Sequence, residues 1–111
     1  MLCVLRNFRV PDSIFAHYPV YSCDLKFFPS NLLIVDEFLL SEGFMSCVMS
    51  CFLRKGGDAK NNCVISPNNA PDCLLNLLPN MVLTACECDV LRDQSIHFLD
   101  RVLRADGYQT P

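Results

Sequence analysis

Asp89 and Asp93, four residues apart, are the acids of this chain best placed to do chemistry. They follow Met81–Cys86 (MVLTAC), an apolar run that reads as a buried parallel strand, and they precede a helix-like pattern. Open α/β sheets keep their chemistry at the C-terminal ends of parallel strands. A carboxylate there can orient a histidine, which in turn activates a serine or cysteine for acyl transfer. Spacing alone leaves Asp89 open between that role and an ordinary loop acid, and the loop acid is the simpler reading. Asp93 reads as the N-cap or first-turn acid of the following helix, and Glu87 as solvated.

The partners such an acid needs are not evident. His97 lies eight residues after Asp89, inside the helix, and would have to fold back over one helix start; it reads as a half-exposed helix histidine. His17, between Ala16 and Tyr18, reads as a core or strand-end histidine. The G-x-S-x-G elbow of α/β-hydrolases does not occur. Gly56-Gly57 is followed by Asp58-Ala59, with no nucleophile, and reads as a helix terminator. Cys86 and Cys88 flank the acid without a basic neighbour to activate them, so they read as buried thiols.

The elements that must position these groups alternate in type. Residues 1–8 read as the tail of a helix, and Arg9–Asp12 as a turn stopped by Pro11. Ser13–Tyr18 (SIFAHY) reads as a buried strand closed by Pro19. Tyr21–Ser30 is loop-like, and Leu32–Leu40 is either a short helix or irregular. Ser41 fits the N-cap of a helix over Glu42–Arg54, with Phe44, Val48, Cys51 and Phe52 at helical spacing. Lys55–Ala70 is a polar loop. Pro71-Asp72 opens a short segment, Cys73–Leu78. The last helix spans Arg92–Ala105, with Ile96, Leu99 and Leu103 as its apolar stripe, Phe98 and Val102 widening it, and Gly107 at its C′ position. This order predicts an α/β fold with a parallel sheet. Two strands are too few for such a sheet, which needs neighbours and cover on both faces.

Composition narrows the function classes. The 111 residues suffice for one small domain, and 51% hydrophobic with 19% charged residues argues against disorder. A net charge of −3 and scattered basic residues give no electrostatic case for binding nucleic acid or an anionic membrane. The apolar runs fall short of the ~18 residues a membrane-spanning helix needs. Arg6 and Arg9 interrupt the N-terminus before a signal-peptide core can form. Eight cysteines with no signal peptide read as reduced, mostly buried thiols in a cytoplasmic protein. Without a C-x-x-C pair or a histidine at ligand spacing, no metal or cofactor is expected.

Several blocks together resemble a known family. They are Ile65-Ser66-Pro67, Ala70-Pro71-Asp72-Cys73-Leu74-Leu75, Leu78-Pro79 before the strand, and Asp89-Val90-Leu91-Arg92-Asp93. Upstream, Arg9-Val10-Pro11-Asp12, Ala16, Tyr18-Pro19, Pro29-Ser30, Leu32-Leu33, Asp36 and Leu39-Leu40 extend the match, so that it covers about Val4–Gly107. This pattern resembles the C-terminal part of the hormone-sensitive-lipase-like α/β-hydrolases. Val90 stands where the family usually has Pro, and Asn68-Asn69 where an apolar pair is common.

The resemblance implies a partial α/β-hydrolase domain over residues 1–111, a segment of a mainly parallel sheet with flanking helices. It implies a serine carboxylester hydrolase, or lipase, acting on acylglycerols, cholesteryl esters and similar acyl esters, in the cytoplasm and at lipid-droplet surfaces. Asp89 then matches the acid of the catalytic triad, and Asp93 a second acid that supports the loop and helix. The family's GDSAGG elbow and HGGG oxyanion loop would precede this segment, and its catalytic histidine would follow after one more strand. The regulatory insert of some animal lipases would be reduced to Lys55–Asn62. The expectation is a chain that carries the triad acid alone and is inactive by itself. A non-catalytic regulatory remnant that pairs with a full-length paralogue is the alternative, and a small Cys-rich metal protein is a third reading.

Overall fold

The computed structural model describes residues 2–23, 28–36, 41–53 and 57–105. Their elements run α1 (Leu2–Leu5), β1 (Ser13–His17), a 3-10 segment (Pro29–Asp36), α2 (Glu42–Leu53), a 3-10 turn (Pro67–Asn69), α3 (Asp72–Leu75), β2 (Asn80–Thr84) and α4 (Arg92–Ala105). The α/β order expected from the sequence is present, as a mixed assembly of helices and a two-stranded parallel sheet. Residues 37–40 of the mixed Leu32–Leu40 segment, Arg54, Gly56 and Gly107 lie outside the described residues.

β1 and β2 pair in parallel from Ser13↔Asn80 to His17↔Thr84. β1 ends where Tyr18 takes a positive φ of 50°, a region that costs most non-glycine residues energy. The Tyr18 amide still donates to the Thr84 carbonyl at 2.9 Å, so the turn starts from a closed ladder. β2 is shorter than the apolar run suggests. It stops at Thr84, and Cys86 lies beyond it at the entrance to a turn over Glu87-Cys88.

Alternation in the strands separates two sheet faces. Ala16, Met81 and Leu83 pack against a core of Tyr21, Ala70, Leu75 and Phe98. Phe98 is only 2% exposed, and its ring stacks on Tyr21 with centroids 4.0 Å apart and planes 12° from parallel. Burial pushes the Tyr21 phenol above its ordinary pKa. On the opposite face Phe15 and Val82 are register partners, 68% and 51% exposed. The strands are therefore half-buried, not buried as their apolar character suggests.

α4 has the length expected of it, and Phe98 and Val102 of its expected apolar face point inward, whereas Ile96 and Leu99 do not. Gln94, Ser95 and Phe98 are buried, with Val102 and Ala105 packed against the core. Ile96 is 55% exposed and Leu99 37%, so the Ile96–Leu99 stripe is the outer one. Period 3.6 fixes spacing, but in a helix with apolar residues on two sides it does not choose between them. Phe44, Val48 and Phe52 of α2 also face outward. α4 packs on α3 and on both 3-10 segments, whereas α2 has no comparable packing partner among the described residues. The Ser41 side chain and carbonyl accept from the Phe44 and Met45 amides, which makes Ser41 the N-cap. At Gly57 a Cβ would collide with the Leu53 carbonyl, so glycine is required where the chain leaves α2.

The loop after α2 is built on Asp58. Its Oδ1 accepts from the Lys60 and Asn61 amides at 3.1 and 3.0 Å, and its Oδ2 from the Asn61 side chain at 2.8 Å. The two bonds to Asn61 hold the carboxyl below its ordinary pKa against an opposing desolvation, with a lesser contribution from Lys60. The cysteines depart from expectation. Cys47, Cys51, Cys73, Cys86 and Cys88 are exposed, and Cys23 alone is fully buried. A turn and two outward helix faces hold the exposed ones, so apolar neighbours in sequence did not imply burial.

Phe98→Ala should destabilise the fold by about 3–5 kcal/mol. Ile96→Ala should change stability by no more than about 0.5 kcal/mol, because its side chain is already in water. Urea unfolding followed by far-UV circular dichroism compares the two. Equal effects would contradict the inward assignment of α4.

Candidate functional site

Both parallel strands end at one edge, and the chain leaving β2 there carries the acids. Cys86 to Asp89 turns back toward α4, and Val90, 2% exposed, anchors the turn in the interior. Asp89 Oδ1 accepts from the Leu91 amide at 2.8 Å, and the Asp89 carbonyl accepts from the Arg92 amide at 3.0 Å. This Asx-type turn sets the carboxylate plane. Asp89 is half-buried, and among the described residues no donor reaches its Oδ2.

Asp93 holds the turn from the other side. Its Oδ2 accepts from the Ser30 amide at 2.8 Å and its Oδ1 from Arg92 Nε at 2.9 Å. Ser30, 1% exposed, donates its hydroxyl to the Val90 carbonyl at 2.9 Å and accepts from the Asp93 amide at 3.3 Å. Arg92 also reaches back to the Glu87 carbonyl at 2.7 Å. Partial desolvation raises the Asp93 pKa. The Arg92 hydrogen bond, the Ser30 amide and the Arg92 charge outweigh it, and the net position is below the usual carboxylate range. Asp93 is the first-turn acid that the sequence suggests, at the positive end of α4.

Neither histidine is hydrogen-bonded to Asp89. His17 Nδ1 lies 3.2 Å from Thr84 Oγ1, at the exposed end of the ladder. His97 Nδ1 lies 3.2 Å from Asn68 Oδ1. Asn68 Nδ2 donates to the Gln94 carbonyl at 3.1 Å, which fixes the amide orientation. His97 Nδ1 must therefore carry the proton. Phe28 meets the His97 ring edge-on at 5.8 Å. Three buried serines are committed to bonds with the backbone. Ser30 and Ser95 donate to the Val90 and Leu91 carbonyls, and Ser66 Oγ accepts from the Cys23 amide at 2.9 Å. Among the described residues no group of three metal-ligating side chains gathers.

Three residues matter here that sequence patterns do not single out. Ser30 reads only as loop punctuation after Pro29, yet it joins Val90 to Asp93. Gln94 reads as a polar helix position, yet its buried Oε1 accepts from the Tyr21 and Ser22 amides at 2.9 and 2.8 Å. Arg101 donates to the Asn68 and Ala70 carbonyls at 2.5 and 2.8 Å and to Asp72 at 2.6 Å. Their partners lie 26 to 73 residues away along the chain, beyond any local window. No family model, curated protein or solved structure matches the chain. None of the helices among the described residues is long and apolar enough to cross a membrane.

The lowered Asp93 pKa has a definite consequence for stability. The unfolded carboxyl titrates near ~3.9 and the folded one below that. Its stabilisation is fully present above about pH 3.9 and is lost as pH falls through the folded value. Asp93→Asn should cost about 1–2 kcal/mol at pH 7, since amide-for-carboxylate exchange weakens the Ser30 and Arg92 bonds. The gap between variant and parent should narrow below about pH 4. Denaturant unfolding at pH 7, 5 and 3 measures it, and a gap that widens on acidification contradicts the assignment. Gln94→Leu should cost about 2–4 kcal/mol in the same assay, because two backbone amides lose their acceptor.

Proposed function

We propose that this chain is the acid-bearing segment of a serine carboxylester hydrolase, with the residue pattern of hormone-sensitive lipase. Its substrate class is acylglycerols, cholesteryl esters and similar acyl esters, in the cytoplasm and at lipid-droplet surfaces. The observation that carries this reading is the setting of Asp89. It lies past the C-terminal end of a parallel strand, before a helix, with one carboxylate oxygen fixed by the Leu91 amide. The other oxygen is free among the described residues to accept an imidazole N–H.

In that role Asp89 acts through the histidine and not on the substrate. It holds a histidine in the tautomer whose other nitrogen takes the proton of a serine hydroxyl, and it stabilises the imidazolium that forms. Asp93, Ser30 and Arg92 keep the turn from shifting when that charge appears. Within the 111 residues His17 and His97 have other partners, and no serine sits in a nucleophile elbow. The serine and histidine are therefore proposed to come from other segments of the enzyme. The bare Phe15–Val82 face supports this, since a parallel sheet is covered on both sides in α/β enzymes.

Two outcomes are expected. A serine-directed fluorophosphonate should leave the isolated chain unlabelled, and stoichiometric labelling would sink the proposal. In a polypeptide that joins this segment to its serine and histidine, Asp89→Asn should lower kcat about 10⁴-fold with little change in KM. Retention of most of the activity on a short-chain p-nitrophenyl ester would remove Asp89 from the triad role.

A further inference from the structure

α2 carries two exposed thiols, Cys47 and Cys51, one helical turn apart. Residues four apart lie on the same side of a helix, with Cβ atoms about 5–6 Å from one another. The side they share is open. α2 has no comparable packing partner among the described residues. A Cβ added at Gly43, one turn before Cys47, would meet no atom within 4 Å.

This separation selects what can join the two sulfurs. A disulfide holds its Cβ atoms about 3.5–4.5 Å apart, closer than two positions on a regular helix come. A metal ion set in line between two thiolates, with bonds of about 2.3 Å each, holds the sulfurs roughly 4.6 Å apart, and side-chain rotation supplies that distance. The neighbours of the pair restrict the ion further. Within α2 the residues one turn from either thiol are Gly43, Phe44, Val48 and Ser50. The first three offer no ligand, and the Ser50 hydroxyl donates to the Ser46 carbonyl at 2.7 Å. Met45 and Met49, each two residues from Cys47, stand on the other side of the helix. Among the described residues no three metal-ligating side chains gather. Such a pair does not suit zinc, whose structural sites take four ligands. It suits copper(I), a soft ion that thiolates select and that two of them satisfy.

We propose that Cys47 and Cys51 form a two-thiolate site for a copper(I) ion on the outer face of α2. Binding forms two copper–sulfur bonds and releases two thiol protons to solvent, with no change in oxidation state. Copper binding here does not depend on the esterase reading, since it is measured as bound metal and not as hydrolysis. The test is titration of the 111-residue chain with copper(I), under a thiol-free reductant, against the chromogenic chelator bicinchoninate. Cys86 and Cys88 are the other exposed pair close in sequence, so Cys86→Ser and Cys88→Ser are introduced together to remove their competition. That chain should take up one tightly held ion, and X-ray absorption at the copper edge should show two sulfur neighbours. Adding Cys47→Ser or Cys51→Ser should weaken binding at least about a hundredfold, more than an outer-shell change costs a metal site. Both thiols are exposed, so the circular dichroism spectrum should not change. Moving one thiol to the other side of the helix, with Cys51→Ser and Met49→Cys together, should not restore binding. No tightly held ion, an affinity unchanged by Cys51→Ser, restoration by Met49→Cys, or a third sulfur neighbour would each overturn the proposal.

Discussion

One side-chain carbonyl organises this fold. Gln94 Oε1 accepts from two consecutive backbone amides, those of Tyr21 and Ser22, in a buried position. The segment leaving β1 belongs to no strand or helix, so its amides need acceptors from elsewhere. Gln94 supplies two, Ser66 Oγ satisfies Cys23, and the Tyr21 carbonyl is met by the Asn68 amide. With its backbone satisfied, Tyr21 can lie inside and stack on Phe98, one helical turn from Gln94. The core, the exit from β1 and the orientation of α4 thus depend on the same carboxamide.

The acid turn is the second fixed point, and it is built differently. Asp89 is positioned by its own neighbours, through Leu91 and Arg92. Asp93 and Ser30 then bind that local turn to a segment some sixty residues earlier in the chain. Arg101 performs a similar service at the other end of α4, where it holds the Asn68–Asp72 stretch. α4 is consequently anchored near both ends by ionic hydrogen bonds and in the middle by Phe98. Such a helix offers a rigid base for the turn that carries Asp89, which suits the orienting role proposed for it.

Local chemistry was legible in the sequence, and direction was not. The bounds of α4, the Ser41 cap, the α3 start after Pro71 and the first-turn place of Asp93 all follow from neighbours within four residues. The inward face of α4 does not. Ile96, Leu99 and Leu103 make the more apolar stripe, yet the helix turns Gln94, Ser95 and Phe98 inward because Tyr21, Ser22 and Asn68 need their partners there. The cysteines mislead for a related reason. Cys86 continues an apolar run, but β2 ends at Thr84 and the next residues form an exposed turn. For the candidate site, Asp89 and Asp93 were visible from their spacing, whereas Ser30 carries no local signature of its role.

The spacing between Tyr21 and Gln94 also bears on how the chain is made. β1 and the segment after it leave the ribosome more than fifty residues before β2 and α4 do. Until β2 and α4 emerge, β1 lacks its partner strand and the Tyr21 and Ser22 amides lack the Gln94 carbonyl. Contacts so distant in sequence form late, because the intervening loop must close first. α4 is therefore also a latch for the segments before it, and the interval before it closes is when the nascent chain is most open to unintended pairing.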